Sequence, residues 1–137
     1  MKYSVLVNAI IIKDNKVLII KRSAKEKHQA GKWTIPGGKV EEVGIVFSAI
    51  ERTAEREVLE ETGLHVVCDK MLVTNNTFIH DEDGSNVLAI ITKCKYISGE
   101  ASPLEDTDDV RWISIDELDQ YDFSPNIKSY IEKAFRD

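Results

Sequence analysis

Three glutamates are spaced so that they would share one side of a helix. Glu57, Glu60 and Glu61 stand at positions i, i+3 and i+4, and side chains at these spacings lie along one helical face. Like charges arranged in this way destabilise an isolated helix by roughly 0.2–0.5 kcal/mol per pair. Carboxylate oxygens are ligands that Mg²⁺ and Mn²⁺ prefer, and such a cation can polarise a phosphoryl oxygen. Taken alone, these residues leave two interpretations open, a metal site and a solvated acidic face.

A glycine pair upstream favours the metal interpretation. Gly37-Gly38 follows the short extended segment Trp33–Ile35, which Pro36 ends. Because glycine permits sharp bends and a close approach of the backbone, a loop here can bring a carbonyl oxygen beside the carboxylates. Several carboxylates together with a backbone carbonyl form the all-oxygen ligand set that suits Mg²⁺.

The motif that contains these residues resembles the Nudix box, G-x5-E-x7-R-E-U-x-E-E-x-G-U, in which U is aliphatic. Arg56–Leu64 matches the second half of that pattern at every specified position. Trp33–Lys39 is similar to the segment that leads into the box, and Val17–Arg22 is similar to the second strand of the family. Because Val110–Ile113 and Asp116–Leu118 also resemble the family's late strand and the following turn, the resemblance covers nearly the whole chain. It implies a metal-dependent hydrolase that cleaves a diphosphate linkage.

The resemblance also implies how the box residues share the work. Glu57 and Glu61 would be the principal ligands of Mg²⁺ or Mn²⁺, and Glu60 would be a further ligand or a hydrogen-bonding partner of the ligands. Gly38 would add its backbone carbonyl to the same metal. Arg56 would orient the carboxylates through charge-assisted hydrogen bonds. The alternative for Arg56 is an ordinary surface ion pair with Glu60 at i+4.

The general base has two possible sources by the same resemblance. Family members take it from the box, which here indicates Glu60, or from a glutamate in a later loop. Residues 97–108 form that loop, and Glu105 is better placed in it than Glu100. An exposed loop acid without a catalytic task is the alternative for both.

Contacts to the substrate are predicted for residues that flank the box. Arg22 and Lys39 are candidates for the phosphates, although each also fits a solvated cation. Trp33 is the candidate for stacking on a nucleobase, with Phe78 and Tyr3 as further possibilities. Aromatic residues at such positions are also common in cores.

One position departs from the family pattern. Nine residues separate Gly38 from Ser48, where the pattern has five, and Ser48 occupies the place of the early glutamate. Glu41 or Glu42, within the four-residue insertion, is predicted to substitute for it. Ser48 and Glu51 have the spacing of a capping box, which predicts that the helix begins at Ser48.

The arrangement of apolar residues and breakers predicts the elements that hold these side chains. A hairpin is expected from strands at 3–12 and 17–20, followed by a helix over 48–62 that Gly63 ends. Further strands are expected at 64–67, 70–79, 86–96 and 110–115, then a short turn at 116–118 and a helix over 124–135. Asp81 and Asp83 fit a hairpin turn better than a calcium loop. The three histidines, at positions 28, 65 and 80, fit no ligand pattern. We therefore predict one domain over 1–137, an α/β fold in which helices cover both faces of a mixed sheet as an α/β/α sandwich.

Composition limits the partners. The chain has 137 residues and a formal net charge of −6, which argues against nucleic acid polymers and anionic membranes. It has neither a signal peptide nor an apolar stretch long enough to span a membrane, and Cys68 and Cys94 fit buried free thiols. These features predict a cytoplasmic protein that acts on a small nucleotide, with a homodimer possible.

Within that class the resemblance leaves the substrate open. The small size favours a nucleoside triphosphate pyrophosphatase similar to MutT. ADP-ribose or another sugar nucleotide is the main alternative, because loops outside the box select the substrate. A catalytically weak module that senses nucleotides is the third possibility, and the glutamate missing at Ser48 motivates it.

Overall fold

The computed structural model describes residues 2–26, 29–80 and 83–137. Within these ranges the chain forms seven strands, two α-helices and one 3₁₀ helix, Ile115–Gln120. The strands are β1 (Tyr3–Lys13), β2 (Lys16–Arg22), β3 (Trp33–Thr34), β4 (Gly37–Lys39), β5 (His65–Ile79), β6 (Asn86–Ser98) and β7 (Thr107–Ser114). The helices are α1 (Ala49–Thr62) and α2 (Ile127–Arg136). The predicted turn at Asp83 lies at the edge of a gap, and the predictions for His28 and Asp81 fall outside the described residues.

Strand β1 organises the sheet. The spatial order is β3-β2-β1-β6-β5, while β4 also pairs with β1 and β7 with β2. Strands β1 and β6 run parallel from Tyr3 opposite Asn86 to Ile11 opposite Cys94, and the other pairs are antiparallel. The sheet is therefore mixed, as predicted.

Alternate side chains of β1 enter two separate cores. Ile10 packs in a cluster with Ile131 of α2, whereas Val7 and Ile11 pack in a second cluster with Val58 of α1. All five side chains are fully buried. Because successive strand residues point to opposite faces, one helix covers each face, and the predicted α/β/α arrangement is confirmed.

The start of α1 differs from the prediction. Ser48 precedes the helix with φ 59° and ψ 37°, and its side chain makes no capping hydrogen bond. A capping serine usually holds an extended backbone that directs its oxygen at the first free amides, and the left-handed backbone of Ser48 does not. The capping box forms instead at the 3₁₀ helix, between Ser114 and Glu117. The predicted end of α1 is confirmed, because Gly63 has φ 78° and donates its N–H to the Leu59 carbonyl.

Strand β5 was expected as two strands but runs unbroken for 15 residues. Its pairing with β6 shifts register at four places, and each shift changes which side chains face the core. Those shifts break the alternation of apolar residues, which is why the pattern suggested an interruption near residue 69. Helix α2 also begins later than predicted, at Ile127 rather than residue 124.

Two smaller predictions concern the thiols and the membrane. Both cysteines are free, but only Cys94 is buried, whereas Cys68 is half-buried on the edge strand. None of the described helices has the length and apolar character needed to cross a bilayer.

Candidate active site

Helix α1 presents its glutamates away from the core because its apolar residues fix its rotation. Ala54 and Val58 are fully buried against the sheet. Ile50 packs at the edge of the same core, so apolar residues at four-residue steps form the buried stripe of the helix. Glu57 and Glu61 consequently lie along the side of the helix that borders β4, and each is partly buried there.

Strand β4 brings the glycine pair to the end of that acidic face. It pairs antiparallel with β1, with Gly37 opposite Asn8 and Gly38 opposite Val7. This is a strand where the sequence predicted a bend. A Cβ atom on Gly37 would lie 2.4 Å from the backbone oxygen of Val7, so only glycine fits. The Gly37 N–H donates to Glu61 Oε1 at 3.1 Å and ties the strand to α1.

Gly38 lies directly against Glu57. A Cβ atom on Gly38 would lie 2.4 Å from both Cδ and Oε1 of the Glu57 carboxyl group. The missing side chain therefore makes the space that this carboxylate occupies. The expected proximity of the Gly38 backbone to the box carboxylates is present.

Arg56 lies among the acids. Its Nη1 atom is 3.4 Å from Glu57 Oε2, 3.8 Å from Glu41 Oε2 and 4.0 Å from Glu60 Oε1. Its Nη2 atom is buried and has no hydrogen-bond partner in the part of the chain that is described. Arg56 thus holds several carboxylates together, and the pair with Glu60 is only one of its contacts.

Burial makes two of the carboxylates weak acids. It raises the pKa of Glu57 to about 7, with the negative charge of Glu60 adding to the effect and Arg56 opposing it. It raises the pKa of Glu61 to about 8, and the hydrogen bond from the Gly37 N–H opposes it. A cleft with carboxylates so perturbed is typical of a functional site.

The loop between β6 and β7 lies beside the carboxylates of α1. Its backbone is tied to the last turn of α1, since Leu104 N–H donates to the Glu61 carbonyl and Ser102 N–H donates to the Thr62 carbonyl. Glu105 is exposed, and its charge contributes to the raised pKa values of Glu57 and Glu61. The structure therefore brings Glu105 to the cluster, as the sequence suggested.

A cleft of about 550 Å³ opens beside Glu61. Its floor comes from sheet side chains such as Ile20 and Ala89, and its far wall comes from the end of β5 and the start of α2. Arg22 and Lys39, the predicted phosphate contacts, both line it. Arg22 also forms an ion pair with Glu26 at 3.4 Å. Volume and mixed lining are those of a small-molecule site.

A family model for the NUDIX domain matches residues 2–134. The chain belongs to the NUDIX domain family. It is 32% identical over 130 residues to the ADP-ribose pyrophosphatase of Methanocaldococcus jannaschii, which covers 93% of this chain and 73% of that protein. It is 41% identical over 68 residues to the 8-oxo-dGTP diphosphatase of Buchnera aphidicola, which covers 49% of this chain and 48% of that protein.

Solved structures agree. The MutT Nudix hydrolase of Burkholderia pseudomallei superposes with a TM-score of 0.76 at 28% identity, covering 97% of this chain and 98% of that one. The MutT protein of Methanosarcina mazei Go1 superposes with a TM-score of 0.80 at 25% identity, covering 98% and 94%. The chain is thus a Nudix pyrophosphohydrolase, an enzyme that acts on phosphorus-containing acid anhydrides.

Nudix enzymes generally use divalent metals, and the donors here fit one. The described residues contain no three acidic, histidine or cysteine side chains already arranged around a metal position. Instead the Glu57 carboxylate contacts Arg56, and that of Glu61 accepts from Gly37. Both are oxygen donors on one face of a helix with raised pKa values. Rotation of these flexible side chains would let them hold Mg²⁺ or Mn²⁺, whose charge would stabilise their ionised form.

Metal affinity is expected to depend on pH. Without metal, the folded protein holds protons on Glu57 and Glu61 up to about pH 7 and 8, so a cation must displace them. One displaced proton corresponds to about ten-fold tighter binding per pH unit below these pKa values. Calorimetric titration with Mn²⁺ between pH 6 and 8, in buffers of different ionisation enthalpy, measures affinity and proton release together. Constant affinity over this range would contradict the prediction.

The same cleft corrects one predicted contact. Trp33 is 8% exposed, belongs to the α2-side core and packs edge to face on Tyr121 at 5.1 Å. Trp33 does not line the cleft, whereas its neighbours Thr34 and Ile35 do. Phe78 does line the cleft, whereas Tyr3 is half exposed outside the lining residues.

The sequence did not predict that residues around the start of α2 belong to the site. Ser124, Asn126 and Tyr130 all line the cleft. The predicted helix was extended over the first two of these residues, although Pro125 followed by Asn126 was a turn signal. Asn126 has φ 71° and makes no capping hydrogen bond with its side chain, and its amide is part of the cleft lining.

Proposed function

We propose that this Nudix hydrolase cleaves the diphosphate linkage of a nucleoside triphosphate to give a nucleoside monophosphate and pyrophosphate. The observation that carries the proposal is the cleft described above, whose lining combines the carboxylate of Glu61 with the aromatic ring of Phe78 and the amide of Asn126. Such a cleft suits a ligand with an aromatic base at one end and phosphates at the other.

Each group has a task that its position supports. Arg22 and Lys39, two cations of the cleft lining, bind phosphate oxygens. Phe78 packs on the base, and the Asn126 amide hydrogen-bonds to its edge. The base is thereby separated from the reacting phosphates by the length of the cleft, and catalysis is largely positioning.

The proton of the attacking water is accepted by Glu105 or Glu60. Glu105 has the freer approach because it is exposed on a loop anchored to α1. Arg56 keeps Glu57 and Glu60 oriented. Glu57, Glu60, Glu61 and the Gly38 carbonyl would hold a divalent cation, whose positive charge would polarise the phosphoryl oxygens.

A second candidate substrate is ADP-ribose or another sugar nucleotide. It is favoured by the 32% identity over 93% of the chain to a protein named as an ADP-ribose pyrophosphatase. Phe78 and Asn126 would again bind the base, and the diphosphate would again lie beside the carboxylates. The terminal ribose would extend past Lys39 toward solvent.

The deciding experiment is a substrate panel with Mg²⁺ or Mn²⁺. It contains nucleoside triphosphates, ADP-ribose, other sugar nucleotides and dinucleoside polyphosphates, with products identified by ³¹P NMR. We expect the largest kcat/KM for a nucleoside triphosphate, and a ten-fold or greater rise in KM for Asn126→Ala as the base contact is lost. A larger kcat/KM for ADP-ribose would select the second candidate. Tight nucleotide binding without turnover of any compound would instead show a sensing module.

A further inference from the structure

The insertion in the Nudix box enters the active site at a defined point. Val40 donates its N–H to the Val5 carbonyl at 2.9 Å and packs against the α1-side core. Glu42 Oε2 then accepts from the Glu41 N–H at 3.2 Å and lies 3.3 Å from Thr53 Oγ1, whose single proton is shared with the Ala49 carbonyl at 2.8 Å. Thr53 is fully buried, so the start of the insertion is fastened to α1 one turn before Arg56.

Ser48 does not provide what the family pattern expects at its position. It is exposed, lies in a left-handed conformation and directs no side-chain hydrogen bond to the helix. Its short neutral hydroxyl also offers no charge to Arg56. Any acid that meets Arg56 from outside α1 must therefore come from elsewhere in the chain.

Glu41 is such an acid. Fastening of Glu42 to Thr53 places Glu41 over α1, with its Oε2 atom 3.8 Å from Arg56 Nη1. The other acids that contact this guanidinium, Glu57 and Glu60, belong to α1 itself and are proposed metal ligands. Glu41 thus brings a carboxylate from outside α1 to the Arg56 Nη1 atom that also contacts the two proposed ligands.

We infer that Glu41 is a positioning residue of this enzyme, which replaces through the insertion the box glutamate that is absent at Ser48. The inference rests on the proposed use of Glu57 and Glu60 as metal ligands. We assign it this role through Arg56, the residue that its carboxylate contacts at 3.8 Å. Because the Glu41 side chain is 74% exposed, the ion pair adds little to folding stability, and its removal tests function with the fold intact.

The test compares Glu41→Gln with Glu132→Gln, a matched loss of charge on α2 across the sheet. We expect Glu41→Gln to weaken Mn²⁺ binding and to lower kcat at saturating metal by about 10–100-fold, the usual effect of losing a residue that orients metal ligands. KM for the nucleotide and the melting temperature stay as in the wild type. Identical behaviour of the two variants, with the wild type active, would overturn the inference.

Two further variants establish the route of the effect. In an Arg56→Gln background, Glu41→Gln is expected to cause no additional loss of Mn²⁺ affinity, since residues that act through one another are not additive. Ser48→Glu is expected to change kcat less than two-fold, because Glu41 already supplies the carboxylate that contacts Arg56. Full additivity with Arg56→Gln, or a large gain from Ser48→Glu, would refute the role of Glu41. Mn²⁺ affinity is measured without turnover, so an inactive wild type would contradict the proposed function and leave this test intact.

Discussion

Replacing Glu61 by glutamine is expected to remove most turnover and at the same time to stabilise the metal-free protein above pH 7. The carboxylate is a proposed metal ligand, and loss of one such electrostatic group costs about 10²–10³-fold in kcat. Glutamine keeps the side-chain oxygen that accepts from the Gly37 N–H, so β4 remains attached. The variant therefore separates the chemistry of the carboxylate from its structural contact.

The stability gain follows from the sign of the pKa shift. The pKa of Glu61 is about 8 in the folded protein against 4.5 as the ordinary value, so the folded state holds this proton more tightly than the unfolded chain. Protonated Glu61 makes its full contribution to the free energy of unfolding below pH 4.5, and this contribution is lost as the pH rises toward 8. Glutamine has no proton to lose, which removes that slope and adds roughly 4 kcal/mol at pH 8.

Urea unfolding at pH 5 and pH 8 in the presence of EDTA measures the effect, and Glu100→Gln on the neighbouring exposed loop is the control. We expect the Glu61→Gln protein to differ from the wild type at pH 8 and to match it near pH 5. A variant that keeps its activity would show that Glu61 is not a ligand. Equal pH slopes in both proteins would contradict the assigned cause of the shift.

Alanine substitutions at the adjacent glycines, Gly37 and Gly38, are expected to have large effects on different properties. In Gly38→Ala the new methyl group would meet the Glu57 carboxyl, a flexible group that can turn aside. We expect a fall in kcat of about 10²-fold, as for a displaced catalytic contact, with little change in unfolding. In Gly37→Ala the methyl group would meet the Val7 carbonyl, which belongs to a central strand. That clash cannot relax locally, so a loss of about 1–3 kcal/mol in unfolding free energy accompanies the loss of activity.

Kinetics at saturating Mg²⁺ combined with denaturant unfolding distinguish the two variants. A Gly31→Ala protein serves as the reference, because a Cβ at Gly31 would have no neighbour within 4 Å, although its φ of 72° adds backbone strain. If Gly38→Ala unfolded as readily as Gly37→Ala while its residual kcat matched the wild type, the space at Gly38 would be structural rather than reserved for the carboxylate.

Local signals explain which parts of this molecule could be predicted. The body and end of α1 follow from a four-residue apolar period and from Gly63, and both signals act within a few residues of the positions they determine. The proximity of Gly38, Arg56 and the box glutamates followed from resemblance to the family. Their assigned roles remain predictions that the variants above test.

Other features depend on partners distant in sequence. Strand β4 has only three residues, and it exists because β1 offers a free backbone edge to Gly37–Lys39. Trp33 was predicted to stack on a nucleobase, but its ring packs against Tyr121 in the core. Asn126 reaches the cleft only because α2 lies across the sheet from α1. No window of sequence contains both members of these pairs.

The parallel pairing of β1 with β6 also has a consequence for synthesis of the chain on the ribosome. The N-terminal strand must wait until residues 86–98 have left the exit tunnel before its long edge is covered. During that delay α1 is already available, but the core residues that β5 and β6 contribute to it, such as Val66 and Ile90, are missing. Folding therefore completes late and depends on contacts far apart in sequence, which is the topology associated with slow folding. The unpaired edge of β1 makes the nascent chain prone to aggregation in that interval.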